Sequence, residues 1–123
     1  MRVLMSIKPK FVKEIISGNK KFEFRKAIFK RDDVESILVY ASSPISKVIG
    51  EFSVKSIISD TPEQVWTVTK EGSGISKLFF DDYFSGKSTA HAIPIENFIE
   101  YSSPENLESF NVRYAPQSFC YVR

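Results

Sequence analysis

The sequence is poor in the side chains that most often do chemistry: of 123 residues, one is a cysteine (Cys120), one a histidine (His91) and one a tryptophan (Trp66). A lone cysteine forms no internal disulfide, and its scarcity suits a reducing compartment. One imidazole and one thiol are too few ligands for a zinc site, so no metal and no cofactor is expected. The carboxylate pairs Asp32-Asp33 and Asp81-Asp82 do not change this, because adjacent side chains diverge on a strand or a helix. Gly72-Ser73-Gly74 lacks both the third glycine of a dinucleotide fingerprint and the Gly-Lys-Ser/Thr ending of a phosphate-binding loop. No Gly-x-Ser-x-Gly elbow accompanies His91. The longest charge-free run, Ser36 to Ser46, is 11 residues, about half of the roughly 20 that a helix needs to cross a bilayer. With no apolar leader after Met1, the expected location is the cytoplasm, and no membrane partner is expected.

Apolar residues make up 42% of the chain and aromatic residues 14%, enough for residues 1–123 to form one globular domain with a real core. The net charge of +2 conceals a strong asymmetry. Residues 1–31 carry ten Lys or Arg against Glu14 and Glu23, whereas the remainder carries seven against thirteen Asp or Glu. That polarity gives one face the power to attract phosphates. The acidic remainder leaves a second option, a protein partner.

Residues 2–7 read as a short strand, and Pro9 suits the first position of a helix whose apolar stripe is Phe11, Val12, Ile15 and Ile16, with Gly18 as its stop. Lys21-Phe-Glu-Phe-Arg25 then alternates strictly, which sends Phe22 and Phe24 inward and leaves Lys21, Glu23 and Arg25 on the other face. Residues 35–41 are apolar on both parities, as in a strand covered on both sides. A long strand is expected from Lys47 to Ile58 with a bulge at Gly50. Thr61-Pro62-Glu63-Gln64 has the form of a capping box opening a helix to about Lys70. A second helix follows, in which Ile75, Leu78, Phe79, Phe80, Tyr83 and Phe84 cover most of the circumference and so predict burial. Residues 88–101, interrupted at Pro94, and Ser118 to Val122 complete about six strands. The class is α+β, and the curling signals suggest a small, partly closed β-barrel flanked by helices.

The chemistry gathers where the positive charge is. Lys8 and Lys10 flank the start of the first helix, whose free N–H groups favour an anion. A nine-residue helix is about 14 Å long, so one small ligand is not expected to reach both of its ends, whereas a short oligonucleotide is. Arg25 can grip a phosphate or a base edge as a fork, Lys20 supplies a point charge, and Glu23 can accept from an exocyclic amine or orient Arg25. Against this stands the bland reading, a Glu23–Arg25 surface pair of small energetic weight. Tyr40 precedes the Ser42-Ser43-Pro44 loop and is a candidate stacking platform.

Gly18-Asn19-Lys20-Lys21-Phe22-Glu23-Phe24-Arg25 resembles Gly-x-Lys-x-x-Glu-x-Arg, the signature of the ASCH domain in the PUA-like superfamily. The order of elements is similar along essentially the whole chain. Ser6-Ile-Lys-Pro9, Tyr40-Ala-Ser-Ser-Pro44 and Pro116-Gln-Ser-Phe119 also look like small prokaryotic members. The resemblance implies a barrel with a cleft beside its helices and a role in binding RNA, single-stranded nucleic acid or a nucleotide, often tied to transcription or translation. It places Lys20, Glu23 and Arg25 in that cleft. Ser6, Lys8, Tyr40, Ser42, Ser43 and Ser118 are added from the loops expected nearby. One branch of the superfamily removes the acetyl group of N4-acetylcytidine with a lysine at the place of Lys20 and a threonine where this chain has Glu23. A hydrolase reading therefore rests on Lys20 with Glu23 or Glu71 acting on water, and other relatives imply a ribonuclease.

Overall fold

Strand β1 (Arg2–Ile7) runs directly into helix α1 (Pro9–Ser17), with Lys8 as N-cap and Gly18 as C-cap. The helix forms because Pro9 occupies a first-turn position that needs no N–H donor, and because Val12 and Ile15 fall on the one face it buries. The computed structural model describes residues 1–123. Strands β2 (Phe22–Arg25), β3 (Ser36–Ala41), β4 (Lys47–Ser53) and β5 (Ile58–Asp60) follow, then helices α2 (Pro62–Thr69) and α3 (Lys77–Tyr83), and strands β6 (Ala90–Pro94), β7 (Glu96–Glu105) and β8 (Phe119–Val122). No helix is long and apolar enough to cross a membrane.

The strands form two sheets, one of five in the order β7-β4-β3-β1-β8 and one of three in the order β2-β6-β5. The α+β class is as expected, with eight strands instead of about six, and the sheets curl without closing into a barrel. The two extra strands come from divided runs, residues 88–101 forming β6 and β7 on either side of Ile95. The expected run from Lys47 to Ile58 divides, because residues 54–57 carry the chain out of the first sheet and into the second.

Strand parity sets the core. Val3, Met5 and Ile7 of β1 and Ile37, Val39 and Ala41 of the parallel neighbour β3 face α1, where they meet Val12 and Ile15. Leu4, Leu38, Tyr40, Val48 and Val122 pack on the opposite face beneath Leu107, Phe110 and Val112. A third cluster joins Phe24, Ala90 and Ala92 of the small sheet to Val65, Phe80 and Phe84 of the helices. Helix α3 is not buried all round as its sequence suggested. Leu78 is 83% exposed, because this short helix lies on the surface and turns Phe80 inward.

Gly50 does coincide with a register shift between β4 and β7. A Cβ there would run into the Ile99 carbonyl and lie 3.1 Å from the Glu100 Cα, both of them backbone and unable to rotate away. Gly50→Ala should therefore cost about 2 kcal/mol, read as a lower denaturation midpoint; a midpoint within error of wild type would show that the strand pair yields freely.

Candidate functional site

The corner between α1 and β2 is held from both sides. The Lys20 N–H donates to the Glu14 carbonyl at 3.0 Å, the Lys21 N–H to the Gly72 carbonyl at 2.7 Å, and the Ile95 N–H to the Lys21 carbonyl at 2.9 Å. Gly74, at φ +68°, closes over this corner, and a Cβ there would stand 2.5 Å from that of Lys20. The loop Gly72-Ser73-Gly74 is thus a fitted cover for Lys20.

Under that cover Lys20 is 4% exposed. Its Nζ lies 3.9 Å from Glu23 Oε1 and donates to the Ser73 carbonyl at 3.4 Å. The centroids of Phe24 and Phe11 are 4.7 and 5.4 Å away, so aromatic faces replace much of the ammonium's water. Burial pushes the Lys20 pKa below the ordinary lysine value of 10.5; Glu23 opposes the shift and Arg25 adds to it. Glu23→Gln removes the negative charge that favours the proton, so the Lys20 midpoint should fall further. An NMR titration of the labelled lysine Cε and Nζ tests this, and a midpoint at or above wild type refutes it.

Glu23 is 5% exposed, not the surface partner of a surface pair. Its Oε2 accepts from Arg25 Nη1 at 2.9 Å. Arg25 also donates from Nη1 to the Ser6 carbonyl at 3.3 Å, and from Nη2 to the Ser118 carbonyl at 3.1 Å and the Ser118 hydroxyl at 2.9 Å. The guanidinium spends these donors on protein acceptors rather than leaving a free fork for a phosphate. It ties β2, in the small sheet, to β1 and to the residue that leads β8, in the large one.

Above this cluster opens a cleft of about 460 Å³ between the two sheets, α1 and α3. Ser6, Lys8, Lys20, Glu23, Arg25, Ser42 and Ser118 line it together. Three of the sequence candidates lie elsewhere. Tyr40 is 5% exposed and points into the core on the far face of β3, since strand alternation places it with Leu38. Ser43 is exposed in the turn after β3 and does not line the cleft. Glu71 is exposed in the 3-10 turn Lys70–Gly72, and it is the Ser73 carbonyl that reaches Lys20. Helix length proves no barrier to a small ligand either. The chain doubles back after α1, so Lys8 before the helix and Lys20 after it share one cleft.

The sequence pattern assigns the apolar wall to the core. Phe80 and Phe84 are core, whereas Phe79 and Tyr83 join Phe11 and Ile75 in lining the cleft. The separating signal was the spacing of four in Ile75, Phe79 and Tyr83, a stripe distinct from Phe80 and Phe84. At the mouth Lys26 Nζ sits 4.6 Å from the Tyr83 centroid, and burial raises the Tyr83 pKa. Trp66 packs on Phe80 at 5.0 Å and takes no part.

The sequence profile of the ASCH domain matches residues 5–114, a span that contains the whole Lys20–Glu23–Arg25 corner. The chain belongs to the ASCH domain family. An ASCH domain-containing ribonuclease of Zymomonas mobilis is 28% identical over 123 residues, covering 98% of this chain and 83% of that protein. The crystal structure of ASCH from the same organism matches with a TM-score of 0.88 at 28% identity, over 99% of this chain and 87% of that one. The large ribosomal subunit protein uL22 of Ureaplasma parvum is 34% identical over 87 residues, 71% of this chain. This ASCH chain spans only 28% of that protein's length.

Proposed function

We propose that this ASCH domain binds single-stranded RNA through the cleft between α1, α3 and the two sheets. The observation that carries the reading is the buried Lys20–Glu23–Arg25 cluster at the floor of a cleft with aromatic walls and lysines at its rim. A cleft of about 460 Å³ is of the size that takes a single nucleotide. Phe11, Phe79 and Tyr83 offer surfaces for a base, and Lys8 and Lys26 offer charge to the flanking phosphates. The likeness to a protein named as a ribonuclease makes RNA the first ligand class to try.

Fluorescence anisotropy of labelled single-stranded RNA and DNA, across a salt series, tests the reading. Affinity for RNA should fall steeply as salt rises, with a slope of roughly −0.7 per neutralised phosphate. Lys20→Met should weaken binding at least tenfold. Salt-independent binding, or binding untouched by that substitution, would remove the cleft from consideration.

A second reading, RNA hydrolysis, is favoured by the depressed pKa of Lys20. In its neutral form the Lys20 amine accepts a proton from an attacking hydroxyl held in the cleft. The rate would then climb with pH to a plateau reached below the ordinary lysine value of 10.5. The same amine would serve an amidohydrolase acting on acetylated cytidine, with Glu23 rather than the distant Glu71 as the carboxylate, and parallel incubations with RNA and with that nucleoside separate the two substrates.

A further inference from the structure

A second, shallower depression of about 290 Å³ adjoins the cleft, and three residues, Phe11, Ile75 and Phe79, belong to both linings. The partition is aromatic: the Phe11 and Phe79 rings meet edge to face at 5.3 Å. On the partition stands Lys10, its Nζ 4.9 Å from the Phe11 centroid and 5.1 Å from that of Phe79. Lys20 meets the same Phe11 ring from the cleft. The depression also holds Glu14, a half-buried carboxylate on α1 that takes part in none of the molecule's ion pairs. The two recesses therefore have complementary chemistry, each with a share of one aromatic wall, and a cation sits where a chain passing from one to the other must cross.

We propose that this depression is a second nucleotide subsite, taking the base that follows or precedes the one in the cleft. The inference rests on the cleft being a nucleotide site. A single-stranded chain offers two π-surfaces joined by one phosphodiester, and the protein offers two recesses on a shared aromatic wall with one exposed ammonium at the divide. Lys10 meets the linking phosphate, since its ammonium already hovers over the partition and is free to exchange a ring face for an anion. Glu14 accepts a hydrogen bond from the exocyclic amine of the second base, which favours cytosine, adenine or guanine over uracil. The ligand class is thus an oligonucleotide and not a free nucleotide.

Calorimetry with the four nucleoside 5′-monophosphates and their 5′-phosphorylated homodinucleotides, with strand integrity checked by chromatography, measures the gain from the second nucleotide. Wild type should bind the A, C or G dinucleotide on the order of tenfold more tightly than the matching mononucleotide, with a smaller gain for U. Lys10→Ala, which removes the cation, and Glu14→Trp, which fills the depression from the other side, should each reduce that gain to about twofold or less. Circular dichroism confirms that both variants fold. Equal wild-type affinity for mono- and dinucleotides overturns the subsite and leaves the cleft intact as a nucleotide site. A gain that survives in both variants also overturns it, because the second nucleotide then lies elsewhere. If wild type binds neither class of ligand, the nucleotide reading of the cleft fails, and the subsite falls with it.

Discussion

Arg25→Ala is expected to lower stability by about 3 kcal/mol, the loss that follows when one partner of a buried ion pair is removed and the other stays behind. Glu23 is 5% exposed and would keep only Lys20, at 3.9 Å, as a counter-charge. The carbonyls of Ser6 and Ser118 and the Ser118 hydroxyl lose a shared donor in the same step. For a chain of this length the melting temperature should drop by on the order of 10 °C. Arg25→Lys should recover little, since one ammonium cannot span acceptors on two strands and on Ser118 in a fixed plane. Thermal melts of both variants decide the matter, and an Arg25→Ala protein that melts with wild type would reduce the network to decoration.

Lys20→Met should move stability the other way. Methionine has a similar length, packs against the Phe11 and Phe24 rings that now surround an ammonium, and leaves the Glu23–Arg25 pair intact. Replacing a buried cation by an apolar side chain of like volume should stabilise by on the order of 1 kcal/mol at neutral pH, while the RNA binding proposed above should weaken at least tenfold. The gain has a distinctive pH dependence. The unfolded chain keeps the Lys20 proton up to the ordinary value of 10.5, whereas the folded chain releases it earlier. Within that interval the unfolded state binds more protons, so wild-type stability rises with pH through the Lys20 site, and the advantage of the methionine variant shrinks. Chemical denaturation of the two proteins at neutral pH and near pH 10 provides the comparison. A variant less stable than wild type at neutral pH would mean that the ammonium is better solvated by Ser73 and the rings than its burial suggests. Stability given up at one charged residue in a cleft is what a functional site leads one to expect.

The local elements were largely legible, because each carries its own signal: Pro9 and Gly18 bracket α1, Thr61-Pro62 opens α2, and alternation marks β2. The cluster of Lys20, Glu23 and Arg25 was legible as a motif and as a charge concentration, but not as a buried one. Its burial depends on Gly74 and Ser73, some fifty residues further on, folding over Lys20. Tyr40 shows the opposite limit. A strand apolar on both parities does not tell which face meets the cleft, and here Tyr40 turned to the far side. Glu71 and Ser43 failed because proximity in sequence to a site loop does not fix where a side chain leaves the backbone. Helical spacing assigns Phe79 and Tyr83 to the core rather than to a stacking platform, because a helix with two adjoining aromatic stripes looks uniformly apolar until one stripe is seen to lack a cover.

Ser118, which supplies two of the four acceptors that Arg25 uses, immediately precedes the strand that completes the large sheet against β1. The floor of the cleft is therefore assembled from residue 6, residues 20–25 and residue 118, brought together across nearly the whole sequence. During synthesis these groups leave the ribosome at widely separated times, and Arg25 must wait for the residue that leads the last strand before half of its acceptors exist. Until then the floor of the cleft is open on one side, and pairing of the last strand with β1 is the event that closes it.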